Sequence, residues 1–119
     1  MLSGTESIEN ANKGKFQNDL TEVVEAIDNY NERAAIRGVS NYDRNKLTWD
    51  GMSEKAENTA KIKDSSHIEE DSIKDILDGN NVPDTLKGLI TIENGKVKVD
   101  KNRKPEYDWA VEKYSYMKN

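Results

Sequence analysis

Histidine occurs once in this chain of 119 residues, at His67, and three carboxylates follow it closely in His67-Ile68-Glu69-Glu70-Asp71. Those residue types are the ones a hydrolytic metal centre uses. Zinc, however, takes three or four protein ligands, mostly His and Cys, and the chain has no second histidine and no cysteine. A local account is simpler. Ser66 and Glu69 have the spacing of a capping box, in which each satisfies an orphan backbone donor at a helix start, so a helix is expected to open there. Oxygen ligands also alternate along Asn41-Tyr42-Asp43-Arg44-Asn45, as in a calcium loop. Lys46 stands where such a loop needs Gly, and Met52 where it needs Glu. Asp100-Lys101-Asn102 is weaker still, and both segments read as turns.

Nucleophilic catalysis finds no better footing. A serine needs a partner base and a strained elbow; the single His lies at a predicted helix start, and no candidate elbow surrounds any serine here. Carboxylate pairs are abundant among 23 acids, but general acid work needs one of them raised in a pocket. The glycines are scattered, so no loop cradles phosphate. Tyr107, Trp109, Tyr114 and Tyr116 resemble a stacking platform for bases. A chain with only 34% apolar residues needs its large rings inside, so these are read as core anchors, with Tyr116 the most exposed. No catalytic, cofactor-binding or metal-ligating residue is expected, and the chain is read as a non-enzyme.

Charge narrows the partners. The net charge is −5, and the first 60 residues carry 7 basic and 11 acidic side chains. Residues 95–119 reverse this, with 7 basic and 4 acidic. Nucleic acid binding is disfavoured, because phosphate contacts want clustered Lys and Arg. The one basic cluster, Lys101, Arg103 and Lys104, is flanked by Asp100, Glu106 and Asp108. No apolar run approaches the ~20 residues that span a bilayer, and no signal peptide is evident.

The elements that must position any surface follow from periodicity. Phe16, Leu20, Val23, Val24, Ile27, Tyr30 and Ala34 recur at steps of three and four, one inward stripe of a helix. Asp19, Glu22, Glu25, Asp28 and Glu32 lie between them, with no Lys or Arg from Gln17 to Asn31. The helix is expected over about residues 5–37, ending at Gly38, with a bend or frayed start near Gly14, which costs about 1 kcal/mol relative to Ala. A short helix is expected over Asp50 to Lys61, bringing Trp49, Met52, Ala56 and Ala60 together. The next would run from the Ser66 cap, with Ile68, Ile73, Ile76 and Leu77 on one face, to Gly79. Val82-Pro83-Asp84 breaks away. Leu89–Ile92 and Lys96–Val99 flank Asn94-Gly95, the strongest short hairpin signal. Pro105 then opens a last helix that presents Trp109, Ala110 and Tyr114. The fold class is α+β: one domain of 119 residues, a spine helix and a small antiparallel head over about 38–119.

That order carries a resemblance. Ser7-Ile8-Glu9-Asn10-Ala11-Asn12-Lys13-Gly14-Lys15-Phe16 through Ala26-Ile27-Asp28-Asn29-Tyr30 resembles the second half of a type IV pilin spine helix. Val82-Pro83-Asp84-Thr85-Leu86-Lys87-Gly88, then Ile92-Glu93-Asn94-Gly95-Lys96, Glu106 and Trp109-Ala110 are similar to the C-terminal region of clostridial-type pilins and secretion pseudopilins. The two segments cover roughly half the chain. The resemblance implies a pilin-like soluble domain whose apolar N-terminal helix, absent here, anchors the subunit in the membrane before assembly. It implies a filament at the surface of a Gram-positive cell, with other copies or related pilins as partners. The acidic spine and the net-positive C-terminal region would then be complementary faces of neighbouring subunits. The rival expectation is a cytoplasmic acidic interaction module, phage-accessory or inhibitor-like.

Overall fold

The computed structural model describes residues 4–36, 42–63, 68–70 and 72–118. Helix α1 (Gly4–Ile36) runs for 33 residues, about 50 Å at 1.5 Å per residue. That is most of the longest dimension of a molecule measuring 56 × 28 × 23 Å. The predicted inward stripe is the buried one. Leu20, Val23, Ile27, Tyr30 and Ala34 are buried, together with Ala26 and Asn31, and Phe16 and Val24 pack half-buried beside them. Glu22, Glu25, Asp28 and Glu32 face outward. The helix continues through Gly14 without interruption. Side chains of Lys13, Phe16 and Gln17 on either side are held by the C-terminal helix, and such tertiary contacts outweigh a single unfavourable propensity.

Strand β1 (Thr48–Asp50) pairs antiparallel with β2 (Lys55–Glu57). Strands β3 (Lys61–Lys63) and β4 (Ile68–Glu70) form a separate two-stranded ribbon. Helices α2 (Ile73–Gly79) and α3 (Asp84–Lys87) follow. The expected hairpin is present as β5 (Ile90–Glu93) and β6 (Lys96–Val99), with Asn94 and Gly95 at φ 53° and 80°, as a type I′ turn requires. The larger sheet has the order β2-β1-β5-β6. Its register sets Trp49 opposite Ile92, Ile92 opposite Val97 and Ile90 opposite Val99. All five are buried, so the period of two places one apolar face on the core. Helix α4 (Glu106–Lys113) closes the head against α1, with the Lys104–Pro105 peptide in the cis form.

Two predicted helices take other forms. The segment from Asp50 to Lys61 is strand, turn, strand and the start of β3. Glu54 and Asn58 sit at φ 57° and 58°, a left-handed conformation that a right-handed helix excludes. Gly51 is pressed so close to the next layer that a Cβ would lie 1.9 Å from the Lys87 carbonyl oxygen. The helix expected from Ser66 begins at Ile73 instead. Its cap is Ser72, whose hydroxyl accepts from the Asp75 N–H at 3.0 Å. Glu69 lies in β4 opposite Ile62, so no helix opens at that point. Ser66, His67 and Gly38 lie outside the described residues. No helix among the described residues is long and apolar enough to cross a membrane.

Candidate interaction surface at the helix–head junction

The C-terminal segment is riveted to α1 at successive turns. Lys13 pairs with Glu112 at 2.6 Å, the Phe16 and Trp109 rings meet at 5.8 Å, and Gln17 Nε2 donates to the Trp109 carbonyl at 3.0 Å. One turn on, the hydroxyls of Thr21 and Tyr114 are 3.2 Å apart. Beside these contacts lies an open groove of about 720 Å³ between the first half of α1, the α3–β5 turn and the start of α4. Phe16, Leu86, Leu89, Pro105 and Trp109 supply its apolar lining, and Glu9, Lys15, Asp19 and Glu106 its charged rim. Lys15 is engaged with Asp19 at 2.6 Å.

The four C-terminal aromatics divide between two tasks. Trp109 and Tyr114 are half-buried against α1, and Tyr107 packs against the core, with the Lys104 ammonium 5.7 Å from its ring centre. Tyr116 stays 41% exposed, as expected from its position. Its ring packs on Tyr114 at 6.0 Å and carries the Lys96 ammonium at 5.7 Å. Partial burial and the Asp28 carboxylate push its phenol up to about 12. The Tyr116 phenol therefore stays protonated near Asp28 on the acidic outer face of α1.

Asp43 and Asp100, in the two calcium-like segments, and Asp50 each cap a backbone turn. Asp43 accepts from the Asn45 N–H, Asp50 from the Met52 N–H and Asp100 from the Asn102 N–H, each at 2.9 Å. These are Asx turns, which bend the chain of both calcium-like segments; Asn41 lies outside the described residues. Among the described residues no three His, Cys, Asp or Glu side chains converge as a metal site. Asp50 and Asp84 are both displaced downward, the first chiefly by the Met52 N–H and the second by the Lys87 ammonium. A general acid needs the opposite displacement.

One ionic cluster escaped the sequence reading. Lys87 is buried, and its ammonium binds Asp78 and, at 2.7 Å, Asp84, which lifts its pKa. It ties α2 to α3 and so fixes the turn that carries Leu86 and Leu89 into the groove. Only the acid-rich spacing Asp78, Asp84, Lys87 hinted at this, because the partners meet through the fold of the Asn80–Pro83 turn. Comparison of the chain with protein-family models, with curated proteins and with solved structures gives no match. Function must therefore be argued from the surface itself.

Proposed function

We propose that this chain is a structural, non-catalytic subunit of a type IV pilus or pseudopilus-like filament at the bacterial cell surface. The observation that carries the reading is the division of α1 into two unlike halves. From Leu20 to Ala34 it buries a full apolar stripe in the head. From Glu9 to Asn12 it is exposed on every side chain, apart from the riveted contacts that begin at Lys13. A rigid helix leading out of a small antiparallel head is the shape a spine-and-head subunit needs. On this reading, the first turns of α1 continue into an apolar helix that holds the subunit in the membrane before assembly and lies in the filament core afterwards. Copies then repeat through heterologous contacts, which generate open filaments and not closed rings.

Mass spectrometry of material sheared from the surface of the source cells tests this. The expected result is a mature chain whose methylated N-terminus belongs to an apolar segment upstream of Ser7. An intact Met1-Leu2-Ser3 terminus confined to the cytoplasm overturns it and leaves the acidic interaction module.

A further inference from the structure

The two walls of the groove beside Trp109 differ in chemistry. On the head side, Leu86, Leu89, Pro105 and Trp109 present an apolar surface. On the α1 side, Glu9, Lys13, Phe16 and Asp19 recur at steps of four, three and three, so one face of the helix lines the groove. Phe16 is the one apolar member of that face. The lysines of the lining are already engaged, Lys13 with Glu112 and Lys15 with Asp19. Glu9 and Glu106 remain as lining charges with no ion pair among the described residues, one on each wall. From Glu9 to Asp19 the groove follows α1 for about 15 Å at 1.5 Å per residue. That is room for about three turns of another helix laid alongside.

We infer that this groove docks a basic amphipathic helix of another protein. Its apolar stripe would lie on the wall of Leu86, Leu89, Pro105 and Trp109, and Lys or Arg side chains flanking the stripe would meet Glu9 on one side and Glu106 on the other. This is helix-in-groove recognition. The apolar anchors supply affinity, and the two carboxylates select a cationic partner over an anionic one. A second copy of this chain is a poor occupant. Of its two longest described helices, α1 is acidic along its outer face from Glu22 to Glu32, and α4 carries three acids and one lysine. Nothing in this choice depends on the filament reading.

The probe is a synthetic peptide of about 14 residues, roughly four helical turns, with Leu at helical spacing and Lys at all remaining positions, titrated into the full chain. Binding should move the tryptophan emission to shorter wavelength as half-buried Trp109 loses water, because Trp49 is already buried. The same peptide with Glu in place of each Lys should bind roughly ten-fold more weakly. High salt should narrow that difference. Glu9→Lys with Glu106→Lys should reverse the preference between the two peptides, and Glu9→Gln with Glu106→Gln should reduce it; circular dichroism confirms that each variant is folded. A net charge of −5 attracts any polycation. Glu25→Lys with Asp28→Lys makes an equal change of charge at exposed positions outside the groove, and should leave the binding midpoint within about two-fold, since screening confines the effect of distant charges. Absence of an emission shift with the Lys peptide, equal binding of the Glu peptide, or equal weakening by the two reversals overturns the inference.

Discussion

Asn31 is the least satisfied residue of the core. It is 3% exposed, its Oδ1 accepts from the Tyr42 hydroxyl, and its Nδ2 has no partner among the described residues. A buried donor without a partner costs about 1–3 kcal/mol. Tyr42 in turn stands edge-on to Tyr30, at 6.2 Å between ring centres. Burial holds its phenol well above the ordinary tyrosine value, with the Tyr30 hydroxyl adding to the effect, so it remains a donor. Asn31→Leu alone removes the orphaned amide but strands the Tyr42 hydroxyl, whereas Asn31→Leu with Tyr42→Phe removes both polar groups. The double variant should therefore be more stable than Asn31→Leu alone by about 1 kcal/mol. Urea denaturation of the two variants measures this, and equal midpoints would contradict it. Tyr30 is placed differently: its hydroxyl accepts from the buried Ala60 N–H at 2.6 Å, which fixes the approach to β3.

At the scale of elements, legibility in the sequence followed how local each determinant is. The hairpin β5–β6 was readable because Asn94-Gly95 sets its own turn, and Gly95 could not be replaced freely: a Cβ there would lie 2.1 Å from the Arg44 carbonyl oxygen. Helix α1 was readable because its stripe repeats over many turns. Strands β1 to β4 have three residues each, too few for a period to declare itself. Their pairing is decided far away, as where Trp49 meets Ile92. The groove was hidden for the same reason, since Phe16, Leu86 and Trp109 converge only in the fold. Helix α2 shows how a neighbouring signal misled. Ser66 and Ser72 both precede acidic residues by three, and the residue that caps α2 is Ser72. Ser72→Ala should cost about 1 kcal/mol, read as a lower denaturation midpoint, and an unmoved midpoint would argue that the cap contributes nothing.

The molecule as a whole is extended for its size. A compact domain of this length has a radius of gyration of about 13.5 Å, against 15.9 Å here. Small-angle scattering of the dilute chain should give a value above the compact one and a maximum dimension near 56 Å. A compact profile would mean that the first turns of α1, ahead of Lys13, do not stand away from the head.

The contacts that rivet the C-terminal segment to α1 have a mechanical meaning. Glu112, Trp109 and Tyr114 grip Lys13, Phe16, Gln17 and Thr21 along more than two turns of one helix. A tensile load applied along that helix would try to slide it lengthwise past the head. Sliding disengages an ion pair, a ring contact and two hydrogen bonds in the same displacement, so the load is shared among them. The last dozen residues thus act as a clasp, and the protein should yield to peeling from its C-terminus far more readily than to an axial pull.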